Sequence, residues 1–170
     1  MEEMFDVVDR SDRVVGRASR QEVHREGLLH RSAHLLVFDR AERVLLQRRS
    51  MDKDTFPGRW DSSVSGHVDS GEEYDKCIVR EAKEEIGIDL TDTPERLFKI
   101  DACEETAQEF TWVYRIKSEG PFIPNEEEVS EIRWFTMDEV SRMLASDAES
   151  LSPAFSLVWS TLLRGNDSAT

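Results

Sequence analysis

The stretch GHVDSGEEYDKCIVREAKEEIGI, residues 66–88, contains the change of pattern that decides the fold. It starts as a glycine-rich loop and then takes a helical period, which predicts a helix over residues 72–86. The apolar residues that fall on one stripe of this helix are Ile78, Val79, Ala82 and Ile86. Such a stripe predicts that one side of the helix packs inward. Gly87 follows as a residue type that ends helices.

Three glutamates of this helix are three and four residues apart, so their carboxylates share one helical face. They are Glu81, Glu84 and Glu85, and they directly follow Arg80. A solvated acidic face is the ordinary interpretation of such a cluster, since like charges on one face repel each other. Here the cluster follows a glycine-rich turn and lies away from the apolar stripe. Carboxylate oxygens in this arrangement suit Mg²⁺ or Mn²⁺, which prefer oxygen ligands.

The whole stretch resembles the Nudix box, in which glycine, five residues, glutamate and seven residues precede Arg-Glu-aliphatic-x-Glu-Glu-x-Gly-aliphatic. Every fixed position is present: Gly66, Glu72, Arg80, Glu81, Glu84, Glu85 and Gly87. The resemblance implies an α/β fold, a Nudix-type α/β/α sandwich with a mixed β-sheet. It also implies hydrolysis of a diphosphate linkage in a small nucleotide substrate. That substrate would be a nucleoside di- or triphosphate or a nucleoside diphosphate derivative, and water would attack phosphorus.

The resemblance also assigns roles to single residues. It implies that the carboxylates of Glu81, Glu84 and Glu85, with the backbone carbonyl of Gly66, bind Mg²⁺ or Mn²⁺. It implies that Glu72 pairs with Arg80 and holds the loop against the helix. The general base is Glu81 or Glu85, or a carboxylate from elsewhere in the chain. The candidates elsewhere in the chain, for the general base or for an extra metal ligand, are Glu109, Glu126, Glu127 and Glu128. Residues 125–128 can also be interpreted as a solvated loop.

Residues 40–59 form the one clearly basic stretch of the chain. Arg48, Arg49 and Lys53 follow a predicted strand beside the helix, and we expect them to bind the phosphates of the substrate. Arg40 and Arg43 sit at a turn and are interpreted as surface residues. His67, inside the box, is a further candidate for substrate contact.

A second resemblance, closest over residues 29–90, is to the branch of Nudix proteins that includes isopentenyl-diphosphate isomerase. That branch implies a cysteine acid/base where this sequence has Ser65, and a hydroxyl is a poor proton donor or acceptor near neutral pH. It also implies a metal site of histidines and two glutamates. His30 and His67 match that pattern and His24 lies near the place of the third histidine, but of the two glutamates only Glu109 is present, since Ala107 stands at the other position. An isomerase is therefore the alternative enzyme, and the histidines are expected to serve packing. A non-catalytic nucleotide-binding module is the third possibility, against which the complete glutamate set counts.

The rest of the chain predicts one domain over residues 1–170, with its core at 28–145, a C-terminal helix at 152–164 and a frayed tail at 165–170. A small hairpin is expected at 4–17, and residues 19–28 are one helical turn or a loop. Strands are predicted at 30–38, 44–47, 62–65, 97–103, 110–116 and 129–135. Thr136 begins a capping box for a helix to about residue 145.

Composition limits the partners of this chain. The formal net charge of −14 repels polyanions, so we expect no nucleic acid and no anionic membrane as a partner. No apolar run reaches the length of a membrane span, and the acidic start lacks a secretory signal. Two cysteines, Cys77 and Cys103, lie in apolar patterns, which favours a reducing cytoplasm. We therefore expect a small phosphorylated molecule as the ligand and no obligate protein partner.

Overall fold

The computed structural model describes residues 1–168. The chain begins with a two-stranded hairpin, β1 (Met4–Val8) and β2 (Val14–Ser19), followed by the short helix α1 (Arg20–Glu26). Ser19 caps α1 by accepting a hydrogen bond from the Glu22 N–H, and Gly27 ends it at φ 62°. The sequence predicts one helical turn or a loop at residues 19–28, and this cap and stop explain why a helix of 7 residues forms there.

Seven strands form the main sheet, and two long helices and one shorter helix accompany it. The strands are β3 (His30–Phe38), β4 (Val44–Arg49), β5 (Trp60–Asp61), β6 (Val64–His67), β7 (Glu95–Ile100), β8 (Glu109–Lys117) and β9 (Val129–Phe135). The helices are α2 (Tyr74–Ile86), α3 (Met137–Ser146) and α4 (Pro153–Ser168). Within residues 1–168, no helix has the length and apolar character needed to cross a membrane.

The sheet is mixed, with β3 at its centre. The strand order is β5-β4-β3-β8-β7, while β6 pairs with β3 and β9 pairs with β4. Only the pairing of β3 with β8 is parallel, and the other pairings in this sheet are antiparallel. This arrangement confirms the expected α/β class with a mixed sheet.

Side chains that alternate along β3 build two cores on opposite faces of the sheet. Leu35 and Val37 join the core beneath α2, together with Ile78 of that helix. Leu36 and Phe38 join the core beneath α3 and α4. Helices therefore cover both faces, as the α/β/α arrangement requires.

Several predicted boundaries differ from the structure. Helix α2 begins at Tyr74 and not at Glu72, because Glu72 belongs to the preceding turn, where its carboxylate accepts the Asp69 N–H at 3.0 Å. The predicted stop at Gly87 is confirmed, with φ 70°. Helix α4 continues past residue 164 to Ser168, so the part of the expected frayed tail at 165–168 is helical. Residues 169–170 of that tail lie outside the described residues.

Candidate active site

Helix α2 presents its glutamates to a cavity of about 1230 Å³. Ile78, Ala82 and Ile86 of its apolar stripe are fully buried and Val79 is half-buried, so the charged side of the helix is left for the site. Glu81, Glu84 and Glu85 all line the cavity together with Gly66. Four residues that the sequence linked by spacing alone thus meet at one surface.

Gly66 permits the close approach of β6 to α2. A Cβ atom added at this position would overlap the side chain of Glu81. Strand β6 holds Gly66 opposite Ala33 in the antiparallel pairing with β3. Only glycine therefore fits here while Glu81 keeps its position.

Arg80 connects the loop to the glutamates. Its guanidinium donates two hydrogen bonds to the Glu72 carboxylate, at 2.8 and 2.9 Å, which is the expected ion pair. It also donates to Glu81 at 2.8 Å, to Glu84 at 3.1 Å and to the backbone carbonyl of His67 at 3.1 Å. The Arg80 guanidinium thereby orients both the turn that contains Glu72 and two of the candidate metal ligands, Glu81 and Glu84.

The charge of the site fits a divalent cation. Burial raises the pKa of Glu81 above its usual range, and burial followed by the nearby Glu81 charge raises the pKa of Glu85 well above its usual range. Glu85 is only 6% exposed and accepts hydrogen bonds from the side chain of Gln47 and from the Ser65 N–H. Neighbouring buried carboxylates repel each other, and a cation with oxygen ligands would offset their charge. The donor set therefore suits Mg²⁺ or Mn²⁺.

Two of the three predicted phosphate-binding cations line the cavity. Arg49 is held by Asp61 at 3.4 Å and by the Thr55 carbonyl at 3.0 Å, and Lys53 is paired with Glu128. Arg48 does not line the cavity, so the structure separates it from Arg49 and Lys53. Adjacent residues of a strand point to opposite faces, and the Arg48 guanidinium lies over the Trp60 ring, 6.0 Å from its centroid.

Of the carboxylates predicted as a general base or an extra metal ligand, some line the cavity and others do not. Glu109 and Glu128 line the cavity. Glu126 and Glu127 do not, and both are exposed in the loop before β9, as the solvated-loop interpretation expects. The structure therefore places Glu109 and Glu128 at the cavity and Glu127 away from it.

The structure brings three histidines and Glu109 together, which the packing interpretation of these histidines did not anticipate. One ligand atom from each of His24, His30, His67 and Glu109 lies within 4.8 Å of the others. Glu109 stands opposite His30 in the parallel pairing of β3 and β8, and its carboxylate is 2.8 Å from His67 Nε2 and 3.3 Å from His30 Nε2. Register between distant strands creates this cluster, which the sequence indicated only through the resemblance to the isomerase branch.

The atoms of this cluster are arranged as in a site that can hold a cation. His30 Nδ1 lies 2.8 Å from the Leu28 carbonyl, so it carries the proton and turns the lone pair of Nε2 toward the cluster. Among the described residues, His30 Nε2 is the one buried side-chain nitrogen or oxygen without a hydrogen-bond partner. Burial, together with the charges of His67 and His30, lowers the pKa of His24 to about 4, which favours the neutral form that binds metals.

Glu109 stays ionised in this cluster. Burial alone would raise its pKa, but the neighbouring His67 and His30 imidazoles outweigh burial and hold the pKa well below its usual range. Ala107 and Gln108, directly before it, both adopt positive φ angles of 54° and 67°. This tight turn aims Glu109 at the histidines, and Ala107 adds no carboxylate of its own.

Five aromatic residues whose rings could stack on a nucleobase do not line the cavity. Trp60, Phe122, Trp112, Tyr114 and Trp134 pack in or against the two cores. Phe56 does line it and is 40% exposed.

The comparisons with known proteins agree with this geometry. The family model described as the NUDIX domain matches residues 28–155. An uncharacterized Nudix hydrolase of Streptomyces coelicolor is 39% identical over 131 residues, which cover 76% of this chain and 72% of that protein. A prenyl-diphosphate phosphatase of Methanosarcina mazei is 34% identical over 155 residues, which cover 89% of each. Among solved structures, DR0079 of Deinococcus radiodurans superposes with a TM-score of 0.75 and 28% identity, covering 85% of this chain and 90% of that one.

Proposed function

The chain belongs to the Nudix family and is an enzyme that acts on phosphoric anhydride bonds, and we propose that it hydrolyses a diphosphate linkage in a small nucleotide substrate with Mg²⁺ or Mn²⁺. The substrate would be a nucleoside di- or triphosphate or a nucleoside diphosphate derivative. We further propose a cytoplasmic location, which the two free cysteines, Cys77 and Cys103, favour.

One observation carries this proposal: the glutamates of α2 and Gly66 share a cavity with two cations that can hold phosphate. The ligand set is Gly66 (carbonyl), Glu81, Glu84 and Glu85. Arg49 and Lys53 line the same cavity and can bind the phosphate oxygens that the cation does not neutralise. The net charge of −14 makes such local positive charge necessary for an anionic substrate.

The chain's own residues orient the reacting groups. Arg80 holds Glu81 and Glu84 in place while Glu72 fixes Arg80 to the turn. A bound cation would neutralise diphosphate oxygens, stabilise the developing charge and acidify the attacking water. For the general base, Glu81, Glu85, Glu109 and Glu128 remain candidates, since all four line the cavity. His67 also lines it and can donate to a phosphate oxygen.

A prenyl diphosphate is the second candidate substrate. The relative named prenyl-diphosphate phosphatase matches 89% of both chains, and a prenyl diphosphate offers the same diphosphate group to the cations. The assembled histidine cluster also supports kinship with the isomerase branch. Ser65 and Ala107, however, provide neither the thiol nor the second carboxylate of that branch, so hydrolysis is favoured over isomerisation.

The proposal is tested by turnover of a panel of nucleoside di- and triphosphates, nucleotide sugars, dinucleotides and prenyl diphosphates. Each would be assayed with Mg²⁺, with Mn²⁺ and with chelator, on the natural protein and on Glu84→Gln. We expect metal-dependent hydrolysis, and a loss in kcat of about 10²-fold in the variant, as for other preorganised electrostatic groups.

Lys83→Gln is the matched control, because it removes a charge from the neighbouring position of the same helix, where Lys83 pairs with Asp89 at the surface. We expect normal turnover from it. Near-normal turnover by Glu84→Gln, or turnover that survives the chelator, would contradict the metal assignment. Failure to bind Mg²⁺ would favour the non-catalytic module.

A further inference from the structure

Phe56 is a large apolar residue held at the rim of the cavity. It lines the cavity with 40% of its surface exposed, whereas the other residues with Phe, Tyr or Trp side chains in the described chain lie elsewhere. A diphosphate and its cation occupy only the charged part of the cavity. The organic group attached to the diphosphate needs a surface of a different kind.

The loop that carries Phe56 is preorganised. Arg49 donates to the Thr55 carbonyl at 3.0 Å and to the Thr55 hydroxyl at 3.2 Å, and its carbonyl accepts the Gly58 N–H at 3.0 Å. Lys53 of the same loop also lines the cavity. The ring of Phe56 and a phosphate-binding charge are therefore fixed relative to each other before a ligand arrives.

The conformation of Phe56 is itself unusual. Its φ is 49°, a left-handed value that is unfavourable for a bulky residue and that occurs most often where a site imposes it. The Arg59 guanidinium lies over the ring, 5.0 Å from the centroid. The loop thus keeps the apolar ring of Phe56 at the mouth of a charged cavity. This position costs backbone energy and leaves the Phe56 side chain only partly buried.

We propose that Phe56 is the specificity-determining residue that holds the organic group of the substrate, and that this group presents a flat or apolar carbon surface. The inference rests on the proposed function, since it assumes a ligand whose diphosphate lies at the α2 glutamates. A nucleobase and a prenyl chain share this chemistry, and both pack on an aromatic ring.

The test is calorimetric binding, with Mg²⁺, of three ligands that are not hydrolysed. These are the α,β-methylene analogue of ADP, the methylene analogue of geranyl diphosphate, and methylenediphosphonate, which has no organic group. For Phe56→Ala we expect Kd of the preferred organic analogue to rise about 10-fold, the effect of losing one stacking ring. We expect Kd of methylenediphosphonate to stay unchanged.

Two further variants separate the sources of the organic group. Phe56→Tyr keeps the ring and should bind as the natural protein does. Phe56→Leu keeps apolar volume without a flat ring, so it should retain a prenyl analogue and weaken a nucleotide analogue. Met51→Ala is the matched control, because Met51 is an exposed apolar residue of the same loop that lies outside the cavity. It should change none of the three constants.

Three results would overturn the inference: unchanged binding of all ligands by Phe56→Ala, equal weakening of methylenediphosphonate, or natural protein that binds neither organic analogue more tightly than methylenediphosphonate. Equal weakening would mean that the loop had moved and that the ring makes no specific contact. If the binding differences appear but the protein hydrolyses no diphosphate, the proposed hydrolysis fails, while the assignment of Phe56 as the contact for the organic group of a bound diphosphate is supported.

Discussion

Gly66 is the residue that lets strand β6 lie close against the Glu81 side chain of helix α2. The sequence marked it only as the first fixed position of a box. The structure gives the physical reason, because a Cβ atom there would occupy the space of the Glu81 side chain. The atoms it would meet belong to the end of a flexible chain, so the glutamate can move away while the backbone stays.

We therefore predict that Gly66→Ala reduces activity far more than stability. Displacing Glu81 should lower kcat by about 10²-fold, as small misplacements of reacting groups do. The free energy of unfolding should fall by only about 1 kcal/mol, the low end for overpacking. Parallel measurement of turnover and urea unfolding checks both values. Gly165→Ala is the control, since nothing lies within 4 Å of the added atom, and a variant of Gly66 that unfolds without losing specific activity would refute the argument.

The sequence does not show which charged residues among close neighbours reach the cavity. The sequence treats Arg48 and Arg49 alike, yet the strand sends Arg49 to the cavity and Arg48 to the face that bears Trp60. Side chains alternate between the two faces of a strand, so Arg49 lies on the same face of β4 as Gln47, and Arg48 lies on the other. This alternation could have distinguished the two arginines from the sequence. In the run of glutamates before β9, only Glu128 reaches the cavity. Nothing in that run distinguishes it before the loop has its shape.

At the scale of elements, Asp12 fastens the β1–β2 hairpin to the main sheet. Its carboxylate accepts hydrogen bonds from Arg31 at 2.6 Å, Lys99 at 2.5 Å and Tyr74 at 2.7 Å. These partners belong to β3, β7 and α2. Burial alone would raise the pKa of Asp12, but the hydrogen bonds from Lys99, Arg31 and Tyr74 outweigh burial and lower it.

We predict that Asp12→Asn lowers the free energy of unfolding at pH 7 by about 2 kcal/mol, the value for hydrogen bonds to a charged group. Asparagine tolerates the φ of 59° found here, so the substitution removes charge and leaves the turn intact. Because the folded-state pKa lies below the unfolded value, the stabilisation is complete above the unfolded pKa and disappears as the pH falls through the folded one.

The difference between the natural protein and Asp12→Asn should therefore shrink below about pH 4, the unfolded pKa of aspartate. Urea unfolding at a series of pH values from 7 to 3 measures it. Asp9→Asn, in the same turn but hydrogen-bonded to the nearby Ser11 and Arg13, should have a smaller effect. A difference that stays constant with pH would show that shape, and not charge, fastens the hairpin.

Elements with a strong period could be predicted from the sequence, whereas contacts between elements could not. The apolar stripe of α2 and the stop at Gly87 follow from local rules, and both are present. The approach of His24 to Glu109 depends on α1, β3, β6 and β8 at once. Two residues 85 positions apart in the chain, such as these, have no local signal that reports their proximity.

At the scale of the whole molecule, residues before the matched domain complete the site. The NUDIX model begins at residue 28, but His24 comes from α1, and Phe5 of β1 stacks on His67 with centroids 4.7 Å apart. The histidine cluster thus joins the N-terminal hairpin and helix to the sheet. A cation held by all four ligands would lock these two parts of the chain together.

We predict that Zn²⁺, which suits three histidines and one carboxylate, stabilises the whole protein through this cluster. At a free concentration 100-fold above Kd, binding to the folded state alone adds about 2.7 kcal/mol. Thermal melting with Zn²⁺ and with chelator measures the gain, and hydrogen exchange should show extra protection in residues 1–27. His67→Ala should lose both effects. Glu84→Gln should retain both, because Glu84 belongs to the proposed Mg²⁺ site. An equal gain in His67→Ala would place the stabilising ion elsewhere.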